Sequence, residues 1–181
     1  ILKSQIGAGW EVRGLTGERQ YQHGQIPDRL AEEAEGLQFF RTPNLVSGPA
    51  GLREWREIRA LERRIIEVHR EWPFDIVHAH SPALNGLAAA RAAAKIGVPF
   101  VYEVRAFWED AAVDHGTSRE WGPRYRLTRG LETYALTQVD AITTICQGLR
   151  GDIVARGIAA EKVTVIPNAV NIENFSVGNP A

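Results

Sequence analysis

The stretch Phe74–Pro82, FDIVHAHSP, decides how this chain is read. It begins directly after Pro73, where a strongly periodic helical pattern stops, and closes on Ser81-Pro82 before an alanine-rich helical segment. A short apolar run held between two helical patterns reads as a buried strand of a parallel sheet. His78 and His80 stand two residues apart, so they share one side of that strand. As metal ligands, acid–base groups, binding contacts or satisfied core groups they would mean different proteins, and the surrounding sequence has to decide.

Upstream, Leu52, Trp55, Ile58, Leu61, Ile65, Val68 and Trp72 recur at steps of three and four, one apolar stripe of an amphipathic helix. Arg53, Glu54, Arg56, Glu57, Glu62, Arg63, Arg64 and Glu67 are expected on its solvated face. Residues 37–41 read as a short strand, 43–49 as a loop, and 17–36 as a polar surface loop with one helical turn over 28–35. The opening reads as the tail of a helix stopped by Gly7 and Gly9, followed by an extended segment through Trp10, Val12 and Leu15.

Downstream, an alanine-rich helix over 83–96 ends at Gly97 and Pro99. The next strand, PFVYEV, is apolar enough to be buried on both faces. A long connection over 106–122 carries Trp108 and Trp121, a helix starts at Pro123 and runs to Gln138, and DAITTIC, QGLRGDIVARG and KVTVIPN add strand, helix and strand. At least four alternations of strand and helix predict the α/β class, a Rossmann-like parallel sheet with helices on both faces. One domain is expected over 1–168, with 169–181 as a linker or tail.

Composition narrows the function classes. The 181 residues suffice for one real core, and 44 % apolar with 24 % charged residues is ordinary globular usage. A net charge of −1, from 21 basic and 22 acidic residues, leaves no footprint for nucleic acid. Cys146 is the sole cysteine, which fits a reducing, cytoplasmic compartment; at an apolar strand end it reads as a buried small hydrophobe. No run reaches the roughly 18 apolar residues of a membrane span. The chain has no methionine, even at position 1, so it is expected to be a fragment whose first strand lies upstream.

In open parallel sheets, ligands bind beyond the carboxyl ends of the strands. That rule gathers His80, Ser81 and Pro82; Arg105, Trp108, Glu109 and Asp110; Gln147 and Gly148; and Asn168 and Ala169 on one rim. His78, deeper in its strand, reads as a core histidine bonded to a neighbour, and His80, at the exposed end, as ligand-facing. A metal site needs a third ligand, and His23, His69 and His115 form no motif with the pair, so no metal is expected. No GxGxxG or Walker A sequence occurs, so no dinucleotide or P-loop cofactor is expected either.

FDIVHAHSPALNGLAAARAAAKIGVPFVYEVR, LETYALTQVDAITTICQGLRGDIVARGI and KVTVIPNAVNIENF, in that order, resemble the amino-terminal half of family 4 glycosyltransferases of the GT-B fold, over about residues 2–175. VYEVRAFWEDAAVDHGTSRE is similar to the subgroup found beside bacterial exosortase and exopolysaccharide genes. The resemblance implies an acceptor-holding domain of an enzyme that moves a sugar from a nucleotide-sugar donor to a glycan or lipid-linked acceptor, with retention and without a metal. It also implies a partner: a donor-binding carboxyl-terminal domain of the same protein.

Three positions depart from that family. Where many members have a donor-contacting histidine after the strand FVYEV, this chain has Arg105, which stays protonated and cannot be a general base but can clamp an anion. Ala169 stands for a common glycine and Asn171 for a usual aspartate, both in the crossover between domains. The expected contacts are Arg105, His80, Glu109 and Asn168, with Trp108 placed to stack on a sugar ring. Arg119, Trp121, Arg124, Tyr125, Arg126 and Arg129 mix cations with aromatics in a way that suits anionic lipid headgroups at the inner face of a membrane. A sugar-nucleotide epimerase half, or a non-catalytic carbohydrate- or nucleotide-binding module, would share the same plan.

Overall fold

The computed structural model describes residues 2–17, 29–43 and 46–169. Its elements run α1 (Leu2–Gly7), β1 (Gly14–Thr16), β2 (Ala31–Ala34), β3 (Leu37–Arg41), α2 (Leu52–Glu71), β4 (Val77–His80), α3 (Ala83–Ile96), β5 (Phe100–Val104), α4 (Trp108–Asp114), α5 (Pro123–Thr137), β6 (Ala141–Thr144), α6 (Gln147–Ala155) and β7 (Val163–Val165). The strands make two sheets, ordered β1-β3-β2 and β4-β5-β6-β7, and the second is parallel throughout. Helices flank it, as expected of a Rossmann-like half of a GT-B fold. His23, Asn171 and all but the first residue of the expected 169–181 linker lie outside the described residues.

The core lies on one face of the four-stranded sheet. Phe100, Tyr102 and Val104 alternate along β5 and are fully buried, joined by Ile142 of β6, Ile153 of α6, Leu136 of α5 and the alanines of α3. Small residues let α3 approach closely: a Cβ on Gly86 would lie 2.9 Å from the Tyr102 ring. Gly97, left-handed at φ 77, ends α3 as its position in the sequence predicts. On the opposite face, which carries His78, His80, Val101, Glu103 and Thr143, cover is uneven: β5 is buried on both faces, as expected, at Glu103 and only in part at Val101, while His78 is exposed.

Four expectations are corrected. The polar segment read as a helical turn holds β2 instead, an antiparallel partner of β3 reached through a tight turn at Glu35 and Gly36, both at positive φ. The connection 106–122 contains α4, seated beside α5. On α2, Glu62 and Arg64 are buried rather than solvated, while Leu52 and Trp55 of the apolar stripe are exposed. Glu62 faces α3, where Arg91 and Lys95 reach its two oxygens at 2.8 and 2.5 Å; Arg64 donates to the carbonyls of Arg41 and Leu30 and so closes the end of β3. Cys146 is exposed, at the residue before α6.

Candidate functional site

Strand register builds the site. His80 pairs with Glu103, Val104 with Thr144, and Thr144 with Val165, so β4 to β7 end at nearly one level. The residues after those ends, Ser81, Arg105, Ile145 and Ile166, therefore share one rim. Backbone bonds fix its entry: Ser81 N donates to Glu103 O at 2.9 Å and Ile166 N to Thr144 O at 2.7 Å.

His80 and Arg105 meet through a residue that the strand-end rule does not reach. Glu103 lies between them on β5, its side chain 12 % exposed. Arg105 Nε donates to Glu103 Oε1 at 2.6 Å, His80 Nδ1 lies 3.6 Å from the same oxygen, and His78 Nε2 lies 3.3 Å from Oε2. The two imidazoles stack with centroids 4.9 Å apart. His78 is thus bonded to a neighbour, as expected, although it stands on the open face rather than in the core. Burial, then the charge of His80, lowers its pKa by more than Glu103 raises it, which favours the neutral ring. The donor atoms of His78, His80 and Glu103 lie close enough together to hold a cation. A lone acid inside an apolar strand was the signal for Glu103.

Arg105 is half exposed and engages the protein through its Nε, so the Nη groups make no hydrogen bond among the described residues. That geometry presents the two-pronged end of a guanidinium to an incoming anion. Among the described residues Arg105 forms no salt bridge with the nearby acids Glu109 or Asp110; its partner is Glu103.

The other predicted residues divide. Trp108, the first residue of α4, is 51 % exposed beyond β5. Glu109, its neighbour, turns inward and is buried, with Oε1 2.7 Å from Arg156 Nη2. The Arg156 guanidinium lies 3.4 Å over the Phe107 ring. Glu109 thus anchors the segment that carries Arg105 and Trp108 and offers nothing to the rim. Asp110 accepts from Tyr125 Oη at 2.7 Å, joining α4 to α5 and pushing the phenol up to about 12. Asn168 is exposed three residues past β7, a strand two places from β5 and roughly 10 Å from it at ordinary strand spacing.

A second buried group supports the loop after β4. Glu132 of α5 accepts from Ala83 N at 2.9 Å and from Tyr102 Oη at 2.7 Å, holding the first turn of α3 just beyond His80. No helix among the described residues is long and apolar enough to cross a membrane.

Residues 1–169 match the family model described as glycosyl transferase 4-like domain. No curated protein matches the chain. Among solved structures, the sucrose-phosphate synthase of Thermosynechococcus elongatus is similar over 95 % of this chain and 41 % of its own, at 12 % identity and a TM-score of 0.69. The apo form of the lipopolysaccharide outer core galactosyltransferase WaaB is similar over 76 % of this chain and 32 % of its own, at 19 % identity and a TM-score of 0.50. The UDP-N-acetylglucosamine 2-epimerase of Rickettsia bellii is similar over 69 % of this chain and 29 % of its own, at 17 % identity and a TM-score of 0.47. The chain therefore spans less than half the length of each of these structures.

Proposed function

This chain belongs to the glycosyl transferase 4-like domain family, and we propose that it is the acceptor-side half of a retaining glycosyltransferase acting with a nucleotide-sugar donor. In this reading the acceptor is a glycan or lipid-linked sugar of exopolysaccharide assembly, met in the cytoplasm at the inner face of the membrane. A donor-binding domain of the same protein closes over the rim. Two structures of similar fold bear names of sugar-transferring or sugar-phosphate-forming enzymes, sucrose-phosphate synthase and galactosyltransferase, and each is more than twice the length that this chain covers.

The observation that carries the reading is the half-anchored Arg105: its Nε is tied to Glu103, and its Nη groups are left for a ligand beside His80. Sugar transfer from a nucleotide sugar breaks the bond between the anomeric carbon and a phosphate oxygen, forms one to the acceptor oxygen, and releases the acceptor proton. Such a reaction asks for charge stabilisation at the diphosphate and for orientation of the hydroxyl. Arg105 supplies a fixed cation for a phosphate or an acidic acceptor. His80 offers a ring that can accept or donate at the hydroxyl, Trp108 an exposed face for a sugar ring, and Asn168 a further polar contact. No metal is required for this step. Toward the membrane, Arg129 lies 5.6 Å over exposed Trp121, an amphipathic pair suited to headgroups.

Arg105→Lys in the intact protein tests the clamp. Lysine keeps the charge but loses the fork and the Nε anchor, so a loss of about 1.5–3 kcal/mol is expected, a rise of roughly 10- to 150-fold in the Michaelis constant of the ligand held there. Unchanged constants for both donor and acceptor rule the clamp out.

A further inference from the structure

The outer side of α2 takes no part in the rim, yet its side chains are sorted. At about 100° per residue, Leu52, Trp55, Arg56, Arg59, Arg63 and Arg70 fall within one arc of roughly 100°, and none of the five glutamates of α2 falls inside it. Leu52 and Trp55 are 41 % and 56 % exposed, whereas Ile65 and Val68 of the same helix are buried. Arg56, Arg63 and Arg70 are exposed and form no salt bridge among the described residues; Arg56 and Arg63 donate only to the carbonyls of Ser47 and Arg59. The Arg59 guanidinium lies 5.8 Å over the Trp55 ring. Glu62, at the edge of the arc, is buried and shared by Arg59, Arg91 and Lys95 at 3.5, 2.8 and 2.5 Å, so that cluster also keeps a surplus of positive charge. In a chain of net charge −1 this is a local excess. From this arrangement we propose that the outer face of α2, together with the Trp121 end of α5, docks the protein on a bilayer surface containing anionic phospholipid.

Each part of the stripe suits a different depth of such a surface. Guanidinium groups that no carboxylate occupies can take headgroup phosphates with two hydrogen bonds each. Leu52 and Trp55 suit the boundary between headgroups and acyl chains, where an indole or a branched alkyl group leaves water. A soluble polyanion would engage the arginines and leave both apolar groups wet. Orientation follows from the fold. α2 leads into β4 and α5 into β6 through short connections, so each helix runs against the strand it feeds and starts at the rim end of the sheet. α3 packs against both, which sets α2 and α5 roughly 16–20 Å apart at helix spacings of about 8–10 Å. The start of α5 repeats the chemistry: Trp121 is 54 % and Leu127 65 % exposed, and the Arg129 guanidinium lies 5.6 Å over the Trp121 ring. Two points of contact at that end bring the rim to the headgroups, where a lipid-linked acceptor presents its sugar. The choice of a bilayer as the anionic partner rests on the acceptor reading given above; the sorted surface of α2 does not.

Sedimentation of the intact protein with vesicles, either pure phosphatidylcholine or phosphatidylcholine mixed with phosphatidylglycerol, tests this without any sugar donor or acceptor. The wild type is expected to bind the mixed vesicles, to leave the neutral ones in solution, and to bind more weakly as salt is raised. An arginine near an anionic surface contributes about fivefold, so the triple variant Arg56→Gln, Arg63→Gln, Arg70→Gln is expected to lower the partition coefficient about 100-fold. Trp55→Ser is expected to lower it about tenfold through the lost apolar contact. These side chains are exposed, so circular dichroism and the urea midpoint stay at wild-type values in both variants. Binding that stays within about twofold of wild type in the triple variant but is lost in Trp121→Ser, Arg129→Gln overturns the role of α2 and leaves the lipid-facing reading of α5 standing. No binding to either kind of vesicle overturns both. A normal response to the arginine changes with none to Trp55→Ser shows attraction to any polyanion, and overturns the bilayer as the partner.

Discussion

Glu132 offers the sharpest test of how the site is supported. It is fully buried, and each carboxylate oxygen has one named donor, Tyr102 Oη and Ala83 N. Glu132→Ala strands a hydroxyl and an amide that are both buried. At about 1–3 kcal/mol for each unsatisfied group, with a cavity added and a small gain in helix propensity, the expected cost is about 3–5 kcal/mol. Glu132→Gln keeps the shape: its carbonyl accepts from Ala83 N and its amide donates to Tyr102 Oη, so the cost at neutral pH is about 1 kcal/mol or less. The two variants also separate by pH. Burial raises the Glu132 pKa above its ordinary 4.5, the Glu109 charge adds to this, and the bonds from Tyr102 and Ala83 with the Arg156 charge only partly oppose it. The folded protein therefore holds the proton more tightly than the unfolded chain. That contribution to stability is complete below about 4.5 and is lost as pH rises through the folded-state value. Glutamine does not titrate, so Glu132→Gln should gain on the wild type as pH rises from acid to neutral. Urea unfolding followed by circular dichroism across that range measures both effects. An alanine variant within about 1 kcal/mol of wild type, or a glutamine-to-wild-type difference that does not vary with pH, refutes the argument.

Glu109 and Arg156 are buried together, yet their 2.7 Å contact is not aligned as a hydrogen bond, and Glu109 Oε2 with Arg156 Nε and Nη1 lack hydrogen-bond partners. Glu109→Leu or Arg156→Met alone should cost about 3–5 kcal/mol by stranding the other charge, while the double variant should return to within about 1 kcal/mol of wild type or exceed it. Strictly additive losses in a double-mutant cycle would contradict this. Glu62 titrates in the opposite sense to Glu132: burial pulls its pKa up, but hydrogen bonds and charge from Arg91 and Lys95, with Arg59, outweigh it and hold the carboxyl below 4.5. Its contribution is present above about 4.5 and lost as pH falls through the folded-state value, so Glu62→Gln should remove about 1 kcal/mol at neutral pH and flatten the acid limb of stability. An acid-unfolding midpoint that does not move would count against the α2–α3 tie.

The four-stranded sheet was legible because its strands carry their own signature. Short apolar runs such as FVYEV and AITT, fenced by helical patterns and by Gly97, Pro99 and Asp140, have no other stable place to go. β2 was not legible: AEEA is short, charged and largely exposed, and only its hairpin to β3 makes it a strand. The one hint was Gly36 after Glu35, a pair that suits a turn with positive φ at both positions. α4 escaped because seven residues are two turns, too few for periodicity to speak, and no side chain caps it. Glu62 and Arg64 were misread because charge on a helix is counted as solvated unless a partner is known. Their partners, Arg91, Lys95 and the carbonyls of Leu30 and Arg41, lie 23 to 34 residues away in sequence.

The site shows the same division between what periodicity fixes and what only packing can fix. Strand ends follow from sequence, so His80 and Arg105 could be placed on one rim from the residues alone. Glu103 was hidden by its strand: an acid between Tyr102 and Val104 looks like core until the period of two is followed across β5. Tyr102 and Val104 then point to the buried face, and Glu103 with Arg105 to the face of His78 and His80. Glu109 departs in the reverse direction. It follows the rim in sequence, but α4 begins at Trp108, and a helix turns successive residues by about 100°, so the indole goes outward and the carboxylate inward onto Arg156. Sequence distance from a strand end is thus a guide only as far as the strand's own alternation reaches. Beyond it, which side chains face a ligand depends on where the next helix starts.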